Sequence, residues 1–299
     1  VCPSGSLEFT PLPSASFWAL LDFYKGKKIL LVDEKFSLEN LEISLDKNVL
    51  PLVLNSTQLN ETTLLALLQT SGANITLCAT RLSKGNEDAI ALLNAIFERK
   101  FNKKAILVAF DKENLEKALK ECEFIDDLRF DLPQHPMLKR EHFAKRLLHI
   151  VENDDLGVVE SGEWLRYGQV RVNETNCTLC LACVGACNVG ALVADSKDNS
   201  LKFNASLCTT CGYCVASCAE KDTIELERSG IELKASYFHF HTLAHDELFA
   251  CMECGKEFAT KKAVERVANL MKDKFAGNER KLKTLYCCAE CKARLMIFS

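Results

Sequence analysis

The sequence predicts a chain of α/β plus α+β class, and three patterns carry that prediction. Short, nearly continuous apolar runs alternate with helical patterns through the first half. Four cysteines spaced C-x2-C-x2-C-x3-C then occur twice, and two C-x2-C pairs follow near the end. These divide the chain into a doubly wound α/β domain at 13–155, a cysteine-built domain at 166–230 and a small four-cysteine module at 231–299, with 1–12 standing apart.

The α/β expectation rests on four runs. Lys28 to Asp33, Val49 to Leu54, Asn74 to Ala79 and Lys104 to Ala109 read as strands buried on both faces, the pattern of a mainly parallel sheet. Between and after them, Leu64, Leu65, Leu67 and Leu68 follow Asn60; Ile90, Leu92, Leu93, Ile96 and Phe97 follow Asn86; Leu115 to Leu119 follow Asp111 and Asn114. Each group marks a helix with a polar residue at its start. Sheets of this kind bind nucleotides at strand ends, but the turn after Val32 reads Asp33-Glu34-Lys35-Phe36, with no glycine-rich phosphate loop. A structural or docking role is therefore expected of this domain. Cys78 reads as a core thiol and Cys122 as one at the solvent edge.

Residues 137–152 pattern as an amphipathic helix, and His135, His142 and His149 near it read as solvated or capping side chains, lacking a third ligand. A turn-rich linker is expected over 152–157.

Cys177, Cys180, Cys183 and Cys187 form the first run, and Cys208, Cys211, Cys214 and Cys218 the second. This is the ligand pattern for two 4Fe–4S clusters, in which the last cysteine of each run serves the other cluster. The expected ligand sets are Cys177, Cys180, Cys183 and Cys218 for cluster 1, and Cys208, Cys211, Cys214 and Cys187 for cluster 2. Short strands before each run (170–173, 201–204) and after it (191–193, 223–226) give two related halves. Leu179, Leu181, Val184, Tyr213 and Val215 are expected to shield the clusters from water. Near the start, Cys2-Pro3 resembles the closing pair of a further run whose other ligands lie upstream, which makes Cys2 a ligand of another cluster; the alternative is an ordinary exposed cysteine.

Cys251, Cys254, Cys288 and Cys291 form two C-x2-C knuckles separated by a helix at about 260–274, the pattern of a tetrahedral four-thiolate zinc-ribbon-like site. Cys288 is preferred over Cys287 because it lies at the knuckle distance from Cys291. Zinc is preferred over a rubredoxin-like iron. Gly255 permits a tight turn, and His239, His241 and His245 on an expected strand face are read as structural. Lysines and arginines between the knuckles raise a nucleic-acid reading, which the few aromatic residues there disfavour.

Sixteen cysteines in 299 residues cluster by ligand spacing and not by disulfide logic, which places the chain in a reducing, cytoplasmic setting. A net charge of −4 with mixed signs gives no field for nucleic acid or anionic membrane, and no apolar run nears the roughly 18 residues of a span.

The two runs, taken with the strings Cys177-Thr-Leu-Cys-Leu-Ala-Cys183 and Cys208-Thr-Thr-Cys-Gly-Tyr-Cys214 and the Cys251 pair, resemble the bacterial two-cluster ferredoxins and the multi-cluster polyferredoxins associated with formate dehydrogenase. The resemblance implies a cluster-binding front end, an intervening α/β domain, a dicluster domain and a terminal cysteine-rich module. It also implies an electron carrier serving a redox enzyme such as formate dehydrogenase. The sequence departs from the family's closing Cys-Pro: Asn188 follows Cys187 and Ala219 follows Cys218, each restoring a backbone N–H beside a ligand. Two other classes stay open: an iron–sulfur subunit of an oxidoreductase whose α/β domain binds flavin or substrate, and an assembly or regulatory factor for such an enzyme.

Overall fold

A computed structural model describes residues 13–36, 43–132 and 137–297. Cys2 and His135 lie outside the described residues. The chain divides into two compact units: one takes the residues up to Gln169 together with Ala205–Thr210 and Arg228–His239, and the other takes Val170–Asn204, Cys211–Glu227 and Phe240–Ser299.

The first unit opens with α1 (Ser14–Leu21), then β1 (Lys28–Asp33), β2 (Val49–Leu54), α2 (Glu61–Ser71), β3 (Ile75–Cys78), α3 (Lys84–Phe101), β4 (Ile106–Ala109), α4 (Lys112–Glu121), α5 (Lys139–Val151) and β5 (Asp155–Val159). Strands β1 to β4 form one parallel sheet in the order β2-β1-β3-β4. The central strands β1 and β3 are buried almost throughout, which explains their unbroken apolar sequence. At the edge, β2 alternates in burial and tolerates Pro51, whose missing N–H costs nothing where no neighbour follows. Asn60 caps α2 and Asp111 caps α4. Helix α3 begins two residues before Asn86: Ser83 is the cap, and Asn86 completes a reciprocal capping box with it. Leu64, Leu65, Leu67 and Leu68 of α2 are wholly buried, each contributing about 1.5–3 kcal/mol of transfer free energy.

Several local readings change. The expected linker runs into β5. That strand pairs antiparallel with the strand Ile231–Lys234, read above as part of the terminal module. Gly230 makes the approach possible: its φ is +83°, and a Cβ there would stand 2.1 Å from the Val159 carbonyl oxygen. His142 stacks on Trp18 with centroids 4.7 Å apart, and His149 on Phe130 at 4.4 Å, so both histidines pack on aromatic faces inside the unit. Cys122 is buried as well, its thiol donating to the Asn74 carbonyl at 3.1 Å, and burial pushes the Cys78 thiol up to about 11.

The second unit contains β6 (Gln169–Val172), α6 (Ala182–Gly185), β7 (Leu192–Asp195), β8 (Ser200–Phe203), α7 (Tyr213–Ser217) and β9 (Ile224–Glu227). After β10 (Ile231–Lys234) of the first unit come β11 (His241–His245), β12 (Leu248–Ala250), β13 (Glu257–Thr260), α8 (Lys261–Met271), α9 (Glu279–Thr284) and α10 (Ala289–Ile297). Strand β6 pairs with β9, β8 lies between β7 and β11, and β12 pairs with β13. The stretch 235–238 is a 3-10 turn, so the strand expected to carry His239, His241 and His245 begins only at His241. Among the described residues no helix is long and apolar enough to cross a membrane.

Candidate metal centres

The first cysteine run leaves β6 through an Asx turn: the Asn173 side chain accepts from the Thr175 N–H at 3.1 Å, and its carbonyl accepts from the Cys177 N–H at 3.1 Å. The chain then bends twice through left-handed backbone, at Leu179 (φ 52°) and Leu181 (φ 60°). Neither residue is glycine, so the conformation carries backbone strain. The second run repeats both bends at the equivalent positions, Thr210 (φ 47°) and Gly212 (φ 83°).

The amide pattern repeats too. The Leu179 N–H bonds the Cys177 sulfur, as the Thr210 N–H bonds Cys208 Sγ at 3.3 Å, and the Val184 and Val215 amides bond Cys183 and Cys214. Backbone N–H groups aimed at sulfur stabilise thiolates and lower the electron density on a bound cluster.

Cys177, Cys180, Cys183 and Cys218 line one pocket with Val172, Leu179, Leu181, Leu201 and Ile224. Its cavity volume is about 20 Å3, and it opens to solvent. Three ligands come from one loop and the fourth from the end of α7, a crossed arrangement. Burial pushes the Cys183 thiol up to about 11, with the neighbouring Cys177, Cys180 and Cys214 sulfurs adding to it. Burial likewise raises Cys177, with Cys180 and Cys218 contributing, and Cys214, with Cys211 and Cys187 contributing. Four thiols crowded in an apolar pocket suit a cationic iron core that neutralises them.

Residues 169–219 match the 4Fe-4S dicluster domain. That span contains all eight cysteines of the two runs. The chain is thus an iron–sulfur, ferredoxin-like protein over that stretch, with electron transfer through iron–sulfur centres as the chemistry this domain supports. No curated protein matches the chain.

Cys208, preceded by the 3-10 turn Ala205–Leu207, is buried in the first unit. There the buried Tyr237 lies within electrostatic reach of it and of Arg140, and among the described residues the Tyr237 hydroxyl and Thr210 Oγ1 have no hydrogen-bond partner. Burial raises the Tyr237 phenol far above its ordinary value, so it stays a neutral donor. Sequence reading missed Tyr237 because nothing in its neighbourhood resembles a ligand motif.

The sulfurs of Cys251, Cys254, Cys288 and Cys291 all lie within 4.8 Å of one another. Cys254 Sγ and Cys288 Sγ are 3.8 Å apart, matching the ~3.8 Å edge of a tetrahedron with metal–sulfur bonds of ~2.3 Å. Gly255 (φ 73°) closes the first knuckle, its N–H bonding the Cys251 carbonyl at 2.9 Å. Although burial alone would raise the Cys251 thiol, amides of Cys288, Cys254 and Glu253 bond its sulfur and bring it down to about 6. Burial pushes Cys291 up to about 12, its neighbours' sulfurs adding to the effect. Cys287 is buried beside the site, but its thiol donates to the Lys283 carbonyl at 3.3 Å.

At the carboxyl end of β1, where parallel sheets meet phosphates, Asp33 is buried. Its carboxylate accepts from the Lys35 N–H at 2.9 Å and the Ser56 N–H at 3.2 Å. The protein's own carboxylate takes amides that an anionic ligand would need.

Proposed function

We propose that this protein is an electron carrier with two 4Fe–4S clusters. Cluster 1 is held by Cys177, Cys180, Cys183 and Cys218, and cluster 2 by Cys208, Cys211, Cys214 and Cys187. Cys251, Cys254, Cys288 and Cys291 hold one zinc that shapes the terminal module. The pocket that gathers Cys218 with the first three cysteines of the other run carries the reading, because a crossed ligand set is what two interleaved cubanes require.

Each cluster takes or gives one electron, and exchange between the two is supported by the electrostatic influence of Cys214 on Cys183. The protein's own contribution is to exclude water, donate amides to sulfur and present exposed ligand edges at Cys180 and Cys211. The redox partner is an enzyme such as formate dehydrogenase in the cytoplasm, the partner class of the polyferredoxins that the cysteine strings resemble. The test is reduction of the reconstituted protein by formate and formate dehydrogenase: stoichiometric, reversible bleaching of the cluster absorbance is expected, and inert clusters would reject that partner.

A second reading, an oxidoreductase subunit whose α/β unit binds a small molecule, draws on a cavity of about 310 Å3 lined by Trp18, Leu21, Lys25, Thr70, Asp131 and Arg146 among others. Co-purification of a flavin at about one per chain would favour it.

A further inference from the structure

We propose that the terminal four-cysteine module clamps the ligand segments of cluster 1, and that Lys262 raises the potential of that cluster. The inference rests on the two-cluster reading, and all of its contacts lie within the second unit.

The clamp is built from α8 and the strand leading into it. Thr260, the cap of α8, accepts from the Ala263 N–H at 3.3 Å and donates to the Thr178 carbonyl at 2.8 Å, beside Cys177. Two residues after Thr260, in the first turn of α8, Lys262 donates its backbone N–H to the Asp246 carboxylate at 2.9 Å and extends Nζ to the Glu174 carbonyl at 2.7 Å. Glu174 is held again by the His245 N–H at 3.1 Å. Four residues along the same helix face, Arg266 pairs with the mostly buried Glu220 carboxylate at 3.1 Å. Glu220 lines the cluster 1 pocket, and its carbonyl accepts from the Cys218 thiol at 3.4 Å. Both segments that supply thiolates to cluster 1 are therefore tied to one helix.

That helix is positioned by the metal centre. Strands β12 and β13 pair across the Cys251–Cys254 knuckle, and β13 ends at Thr260. A metal that draws the two knuckles together fixes the hairpin, the hairpin fixes Thr260, and Thr260 fixes the loop at Thr178. Without the metal the same hydrogen bonds must hold a hairpin whose turn is free, and short two-stranded hairpins are marginal alone.

Lys262 adds a charge to this geometry, since its ammonium lies within electrostatic reach of Cys177. Reduction adds one negative charge to the cluster, so a nearby cation stabilises the reduced form and raises the potential.

The test uses the full chain with both clusters reconstituted and one equivalent of zinc added. Midpoint potentials are read for each cluster by electron paramagnetic resonance during titration. Lys262→Met, which keeps the stem and removes the charge, should lower the potential of cluster 1 and leave cluster 2 in place, with Lys262→Arg restoring it. Thr260→Val, and separately removal of zinc by a chelator, should speed amide exchange over 174–180 by about tenfold, the factor expected for a lost hydrogen bond in a local opening. Equal shifts in both clusters, no shift in either, or unchanged exchange after zinc removal would overturn the proposal. A wild-type sample that assembles no clusters would instead reject the two-cluster reading beneath it.

Discussion

Two sets of four cysteines in the second unit differ in what they surround. The sulfurs of Cys251, Cys254, Cys288 and Cys291 converge to within 4.8 Å, with no room for more than one ion. Cys177, Cys180, Cys183 and Cys218 instead stand around an apolar pocket. Both use C-x2-C spacing, so spacing does not decide the difference. Backbone does: a knuckle closed by Gly255 folds its two sulfurs onto one point, whereas left-handed turns at Leu179 and Leu181 splay three sulfurs around a volume. The former geometry suits a bare metal ion and the latter an inorganic core with its own sulfides.

The largest effect that could break this contrast is loss of a knuckle ligand. Cys288→Ser should abolish stoichiometric metal binding at the terminal site, since a structural zinc in such a site typically contributes about 10–16 kcal/mol of folding free energy. Cys287→Ser should leave binding intact, because that thiol bonds the Lys283 carbonyl. Cobalt substitution reads both variants: tetrahedral thiolate bands are expected in wild type and Cys287→Ser and should vanish in Cys288→Ser. Equal loss in the two serine variants would mean the ligand set is wrong.

A core substitution in the first unit should separate folding from metal binding. Leu64→Ala removes a wholly buried side chain and should cost about 2–5 kcal/mol in denaturant unfolding of the α/β unit. The terminal site should still take up its metal; a parallel loss of metal would show that the cysteine sites depend on the α/β core.

Acid should likewise act on the first unit. Glu61 is buried, and although burial alone would raise its pKa, the cations of Lys139 and Arg140 hold it below the ordinary glutamate value. A carboxylate with a depressed folded pKa stabilises above its unfolded value of about 4.3 and loses that contribution as pH falls through the folded one. Glu61→Gln should therefore flatten the acid limb of the unit's stability while lowering its stability at neutral pH. An acid limb identical to wild type would remove Glu61 from the account.

The smallest effect concerns the splayed loop. Position 181 is left-handed and holds leucine, while its equivalent in the second run is Gly212. Leu181→Gly should relieve up to about 1 kcal/mol of backbone strain. The loop should then retain its cluster at slightly higher temperature, whereas faster cluster loss would show that Leu181 shields more than it strains.

The cysteine spacings were legible because ligand geometry is local in sequence, and β1 to β4 because strands buried on both faces cannot hide their apolar runs. The partnership of β5 with β10 was not legible. Those strands are short and more than seventy residues apart, so their pairing depends on Gly230 admitting a close approach that no periodicity signals. The stacking of His142 on Trp18 and the hold of α8 on Thr178 and Glu174 are long-range contacts of the same kind. The basic residues of α8 were visible as a charged face, but only the fold shows that Lys262 and Arg266 reach toward ligand segments.

The central claim, two interleaved cubanes, is tested most directly by iron and acid-labile sulfide analysis with electron paramagnetic resonance on anaerobically reconstituted wild type and on Cys218→Ala and Cys187→Ala. Wild type should hold about eight irons and eight sulfides. Cys218→Ala should damage the cluster of Cys177, Cys180 and Cys183, and Cys187→Ala the cluster of Cys208, Cys211 and Cys214. Four irons in wild type, or damage confined in each variant to the mutated residue's own run, would contradict the account.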